Sequence, residues 1–422
     1  METIKINENI SLHYIEMKKL KTTVVGMYIR RPLKKEEAAF NAVLPYVLKS
    51  GCQKYPGISD INIQLQSLYG ASLNGGVLKN GDNQIIFFDA ETISDKYAPN
   101  GEHLISDTID MLMNVVFKPK VSQNSFDCDI VEREKKTVKN RIESLINDKR
   151  SYAQQRCIQE VCQNDIFSIS KFGDIKDVEK ITSKSLYDHY QNIITSSQID
   201  IFVAGDTDCE ALRNVIEQSV EGLSFSVPKI FETNKIEYKD KINNVTENMD
   251  VTQGKLSIGF VTGINAKDKE YPGLVVANSI YGAGTHSKLF NNVREKLSLA
   301  YYASSSVNKF KGIMTVNAGI EFDNFKKAYD ESILQLEEIS KGNITDDELE
   351  FSISTIVNNL DSYYDDQRYM QLYSLDCLYL GISPDLEDYK KRIKAVTKED
   401  VINVVKKIKQ DTVYFLAGKE TL

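Results

Sequence analysis

Four histidines, His13, His103, His189 and His286, are the chain's whole supply of imidazole, and each stands apart from the others. A hydrolytic zinc site needs nitrogen, sulfur or carboxylate ligands brought together, commonly by short helical spacings, with one position left for water. No HxxxH, HxxEH or CxxC occurs anywhere in the 422 residues, so the common short-spaced zinc motifs are missing. The six cysteines, Cys52, Cys128, Cys157, Cys162, Cys209 and Cys377, show no framework spacing. In a long chain without a signal segment they read as reduced thiols. Cys157 and Cys162, five apart on an expected helix, are poorly placed for a redox pair.

Other candidates weaken on inspection. The runs Asp127–Asp129 and Tyr363–Asp366 are the best carboxylate clusters for a novel metal site. Adjacent residues do not share a helix face, and no histidine accompanies them, so they read as solvated helix surface. Gly282 and Gly284 precede Lys288 in GAGTHSK without the spacing of a phosphate loop. They read as a tight turn opening a helix. Tyr369 and Tyr373 are expected on a long helix beginning at a Thr345…Glu348 capping box. With 22 Tyr and no Trp, the tyrosines read mainly as packing and interface residues.

The elements that must position any site repeat. ITSKSLYDHYQNIITSSQIDIFVAGD, ending at Asp206, reads as a capped helix and a buried strand, and VTKEDVINVVKKIKQDTVYFLAGK has the same layout near the C-terminus. Thr182 corresponds to Thr397, and Ala204-Gly205 to Ala417-Gly418, each Thr being placed to accept orphan helix N–H groups. SLNGGVLKNGDNQIIFFDAE and ASSSVNKFKGIMTVNAGIEF both read as strand, turn and strand. The expectation is an α+β chain of two homologous domains, residues 1–222 and 241–422, joined by a linker at 223–240. Each should carry a mainly antiparallel sheet packed with helices. Leu256, Ile258 and Phe260 alternate with smaller residues, which predicts a strand with one face against helices.

Four stretches then carry a resemblance. They are FNAVLPYVLKSG (Phe40–Gly51), LYGASLNGG with Gly70 and Asn74, VEREKKTVKNRIES, and IYGAGTHSKLFNNVREKLSLAYY. Together the chain resembles the pitrilysin/insulinase family of zinc proteases, which includes the mitochondrial processing peptidase. The resemblance implies a metalloprotease-like clamshell half. It places the inverted HxxEH motif on Ala42, Pro45 and Tyr46, and the family's later glutamate ligand on Arg141. A methyl cannot ligate, Pro has no base, a phenol is a poor ligand near neutrality, and a guanidinium repels a metal. Pro45 inside a helix also removes the bond to the Asn41 carbonyl, at about 3 kcal/mol unless the helix bends. Two positions matching the family's substrate-holding pair remain, Arg294 and Tyr301, whose donors suit a peptide carbonyl or a carboxylate.

By this resemblance the chain is a catalytically inactive homologue with no cofactor, not an enzyme on its own. It would be the non-catalytic subunit of a heterodimeric processing peptidase whose active zinc-bearing paralogue carries HxxEH. Arg294 and Tyr301 would grip the peptide substrate. The alternative is a homodimeric peptide-binding or scaffold protein, as core subunits of the respiratory bc1 complex resemble the same family. A net charge of −8 argues against nucleic acid or anionic membrane as a main partner. No apolar run approaches the roughly 18–20 residues needed to cross a bilayer, and METIKINENISL lacks the basic and apolar regions of a secretory signal. These features point to a cytoplasmic protein.

Overall fold

The computed structural model describes residues 1–228 and 232–419. Three residues of the expected 223–240 linker, and the last three of the chain, lie outside the described residues. Two compact units are present. One holds Met1–Glu143, Ile169–Glu232 and Tyr363–Cys377; the other holds Ser144–Ser168, Thr233–Ser362 and Leu378–Leu422. No helix among the described residues is long and apolar enough to cross a membrane.

The sheet of the first unit contains β1 (Glu2–Lys5), β2 (Ile10–Glu16), β3 (Thr22–Pro32), β4 (Ser72–Asn80), β5 (Asn83–Ile93) and β6 (Gln198–Gly205) in the order β1-β2-β6-β3-β5-β4. The second contains β7 (Asn243–Met249), β8 (Gly254–Val261), β9 (Ala300–Asn308), β10 (Ile313–Ile320) and β11 (Lys409–Gly418) in the order β7-β11-β8-β10-β9. Without β1 the two orders superimpose. In each, the first strand runs parallel to the last, β2 with β6 and β7 with β11, and every other neighbour is antiparallel. The α+β two-domain fold expected from the repeat is present. Both repeated helices start on capping boxes, Thr182 with Ser185 and Thr397 with Asp400, each satisfying N–H groups that helix geometry leaves unpaired.

Each unit takes a helical segment from the other half of the sequence. Helix Lys149–Val161 packs in the second unit, where Ala153, Cys157 and Val161 join Val261, Ile313, Tyr414 and Leu416 in a buried cluster. Gly259 permits this approach, since a Cβ there would meet Val161 Cγ2 at 2.3 Å. Glu247 on β7 anchors the same helix, accepting from Tyr152 (2.7 Å), Arg156 (3.4 Å) and Tyr414 of β11 (2.6 Å). In the first unit, helix Gln367–Leu380 supplies Gln371, which donates to the Val24 carbonyl, and Arg368, which pairs with Asp89 (2.9 Å) and Glu91 (2.8 Å).

This helix changes the expectation for β8. Leu256, Ile258 and Phe260 do face one core, but the strand is buried on both sides because Lys149–Val161 covers the other. A second difference lies at the tyrosines. The Thr345 and Glu348 capping box opens helix Asp346–Asp361. Tyr369 and Tyr373 sit on the separate helix Gln367–Leu380, after a 3-10 turn at Ser362–Asp365.

Candidate functional site

Helix Lys35–Leu48 carries three of the four positions that the resemblance assigns to the zinc chemistry, Ala42, Pro45 and Tyr46. It runs through Pro45 without ending, and the Lys49 N–H donates to the Pro45 carbonyl at 3.2 Å. Ala42 is fully buried in the core and Pro45 is buried, while Tyr46, one turn beyond Ala42, lies half-buried. Helix Cys128–Ser144 brings in Arg141, whose guanidinium carbon stands 5.1 Å from the Tyr46 ring centroid. Thus Tyr46 and Arg141, far apart in sequence, meet, while Ala42 and Pro45 are buried.

Cations dominate this place. Lys49 Nζ is 5.7 Å from the same Tyr46 ring. Its Cδ lies 3.3 Å from where a Gly75 Cβ would stand, and Tyr46 Oη lies 3.6 Å from a Gly76 Cβ. Both residues therefore pack on the Gly75-Gly76 step of β4, the edge strand. Burial, with Arg141 opposing, pushes the Tyr46 phenol above its ordinary range. Burial, then Arg141 against the pull of Asp89 and Glu134, holds the Lys49 ammonium below the usual lysine range. Lys171 is displaced the same way, by burial and then by Arg141.

Sequence reasoning missed Lys49 and Lys171. A buried polar chain sets the Lys171 loop: Gln84 Nε2 donates to the carbonyls of Ala38 (3.0 Å) and Lys171 (2.7 Å), while Asn41 donates to Gln84 at 2.8 Å. His189 Nε2 meets Asn41 Oδ1 at 2.7 Å. Burial holds that imidazole down at about 4, so the ring is uncharged near neutral pH, and because the Asn41 amide oxygen can only accept, Nε2 carries the proton and donates.

The donor set does not fit zinc. A methyl, a proline ring, a phenol pushed upward and a guanidinium offer neither the anionic nor the imidazole ligands that tetrahedral zinc takes. Among the described residues no group of three His, Cys, Asp or Glu side chains is placed to hold a metal ion.

The other named residues lie in the second unit. Gly282 closes helix Tyr271–Tyr281, and its O accepts from the Ser305 N–H at 2.9 Å. A Cβ there would strike Ser305 N at 2.6 Å, so the turn needs glycine. Gly284, at φ 153°, stacks beneath the His286 ring, which bonds Ser279 (3.2 Å) and Ser352 (3.1 Å). Lys288 pairs with Glu348 at 2.8 Å, an ordinary structural role. Arg294 lies on a π-helical stretch, Leu289–Lys296, a form that recurs at functional sites. Its guanidinium carbon sits 4.6 Å from the Phe290 ring centroid, and its Nε is 3.5 Å from Glu295, with 42% of the side chain exposed. Tyr301 is the second residue of β9, is 55% exposed and donates to Glu321. That bond raises its phenol above the ordinary range.

The fold is a two-domain α+β scaffold, and no zinc-type ligand stands at the positions that the resemblance assigns to the metal. Residues 180–356 match the family described as Peptidase M16 inactive domain. A Bacillus subtilis (strain 168) protein named "Probable inactive metalloprotease YmfF" is 34% identical over 411 residues, 97% of this chain and 96% of its own. A crystal structure of a conserved protein from Enterococcus faecalis V583 matches all of this chain and 99% of its own, at 28% identity and a TM-score of 0.92. The fold is shared by the crystal structure of a peptidase M16 inactive domain from Pseudomonas fluorescens, at 17% identity and a TM-score of 0.81 over 99% of this chain and 98% of that one. This chain belongs to the M16 peptidase family, the pitrilysin/insulinase group, as an inactive metalloprotease homologue.

Proposed function

We propose that this chain is the non-catalytic subunit of a heterodimeric peptide-processing peptidase working in the cytoplasm, with an HxxEH-bearing paralogue as partner. Its N-terminal and C-terminal peptidase-like halves, 1–222 and 241–422, are joined at 223–240. The paralogue supplies zinc and the general base; this chain supplies Arg294 and Tyr301 to hold the substrate backbone.

The observation that carries this reading is the contrast between two sets of positions. All four catalytic ones are replaced by groups that cannot do zinc hydrolysis, whereas Arg294 and Tyr301 are present with much of their side chains exposed. Arg294 offers forked donors, and Tyr301 one hydroxyl donor that a substrate must take from Glu321.

The test is co-purification from the native source, with zinc counted per complex, followed by reassembly from the separate subunits. The expected result is a complex containing the paralogue, about one zinc per pair, and cleavage that falls at least tenfold with Arg294→Ala, the loss of a charge-assisted bond. Cleavage by the paralogue that neither needs this chain nor responds to Arg294→Ala overturns the proposal. Recovery of this chain only as a self-pair supports the homodimeric scaffold instead.

A further inference from the structure

A half-buried ammonium beside a guanidinium is costly unless a negative group meets it, because desolvation and like-charge repulsion act together. Lys49 and Lys171 are both half-buried, and the charge of Arg141 bears on each. The acids that face Lys49 are committed elsewhere: Glu134 pairs with Arg133 at 2.7 Å and Asp89 with Arg368 at 2.9 Å. Among the described residues neither Lys49 Nζ nor Lys171 Nζ has a carboxylate within ion-pair distance.

The cluster is also well supported. Lys49 lies along Gly75 and near the Tyr46 ring, the Arg141 guanidinium carbon lies 5.1 Å from the centroid of the same ring, and the Lys171 loop is tied down through Gln84. Gly173, at φ 70°, lies so close to the Lys35–Leu48 helix that a Cβ there would meet Ala39 N at 2.8 Å. Beside it runs β4, which has β5 as its one neighbour in the sheet; an edge strand of this kind can take an extended peptide.

We propose that the former zinc site is a carboxylate-binding site, in which Lys49, Arg141 and Lys171 take a peptide carboxylate, either a chain terminus or an Asp or Glu side chain. This rests on the peptide-holding reading above and names its substrate class. The guanidinium can fork onto a carboxylate and the two ammonium groups can neutralise it.

The experiment is isothermal titration of the full chain with three short N-acetylated Ala/Ser peptides. One ends in a free carboxylate, one in an amide, and one in an amide with a single internal Glu. The expected result is about tenfold tighter binding of a carboxylate probe than of the neutral amide, in the range of a charge-assisted bond. The tighter of the two acidic probes identifies the source. In Lys49→Gln/Arg141→Gln the ratio should fall to within about twofold, with unchanged circular dichroism. Lys171→Gln, on a loop, should lower the ratio too and serves if the double variant misfolds. Equal binding of all three probes overturns the carboxylate grip while leaving peptide holding intact; binding of none overturns both. A preference that survives these substitutions overturns the assignment to these residues.

Discussion

Arg141 holds its guanidinium carbon 5.1 Å from the Tyr46 ring centroid, which puts a fixed cation where the resemblance places a metal ligand. The substitution keeps positive charge at the site and removes the Lewis acid, since a guanidinium has no lone pair to give and no vacant position for water. Cation–π attraction at a half-buried ring is worth between about 0.5 and 2 kcal/mol.

Restoring the donors tests whether the four positions were placed correctly. The combined variant Ala42→His, Pro45→Glu, Tyr46→His and Arg141→Glu should bind about one zinc per chain, measured by mass spectrometry of the metal after dialysis, where the unaltered chain should retain none. Failure of the folded variant to hold zinc would mean that the register of one of the two helices is misassigned.

The exchanged helices predict how the chain responds to cutting. A fragment ending at residue 222 lacks the segment Tyr363–Cys377, and one starting at 241 lacks Ser144–Ser168. Each would expose apolar sheet surface and lose the anchors at Asp89 or Glu247. Expressed alone, each half should be insoluble or bind a hydrophobic dye strongly. The whole chain, nicked after folding at an engineered protease site near Pro228, should still elute as one species in gel filtration. Separation of the nicked halves without denaturant would sink this expectation.

Much of this was legible in the residues, and the parts that were not share a cause. Thr182 and Thr397 announce their helices because a capping hydroxyl and its partner are local. The strand-turn-strand blocks likewise declare β4–β5 and β9–β10 through turn residues. Helix exchange was invisible, because the amphipathic pattern of Lys149–Val161 shows that a face must be buried but not against which sheet. Both-sided burial of β8 was missed for the same reason. The alternation at Leu256, Ile258 and Phe260 marks one face, and Gly259, which admits Val161, looks like an ordinary small residue. At the site, Ala42, Pro45, Tyr46 and Arg141 follow from the family resemblance and stand as its expectation. Lys49 and Lys171 were not legible, since only the fold brings each near Arg141.

Asp165 and Lys311 give the exchange a buried ionic contact. Lys311 is fully buried and its Nζ lies 3.0 and 3.1 Å from the two Asp165 carboxylate oxygens, joining the segment Ser144–Ser168 to the turn between β9 and β10. Removing one partner of a buried pair strands the other charge, typically at 3–5 kcal/mol. Asp165 keeps about a quarter of its side chain exposed, so Asp165→Ala should destabilise the chain by about 2–3 kcal/mol in urea unfolding. Asp165→Asn/Lys311→Met should recover most of that, because the double change leaves no charge buried. A double variant as weak as Asp165→Ala would place the contribution in packing.

His189 sets the acid response of the same unit that holds the degenerate site. Its imidazole is neutral in the folded chain because burial brings it from 6.5 down to about 4; Arg31 adds to that shift and Glu37 opposes it. The unfolded chain takes up the proton near 6.5 while the folded chain refuses it until about 4. The stability from the neutral ring is thus complete above about 6.5 and declines as pH falls toward 4, by about 2 kcal/mol at about pH 5. Protonation also turns Nε2–H···Oδ1 of Asn41 into a charged contact inside the polar chain that runs through Gln84 to the Lys171 loop. His189→Gln keeps a donor without the titration. Its loss of stability between neutral pH and about pH 5 should be smaller than that of the unaltered chain by about 2 kcal/mol, in parallel urea titrations. An NMR midpoint for His189 near 6.5, with identical pH profiles for the two chains, would show that the ring is solvated in solution and that acid sensitivity arises elsewhere.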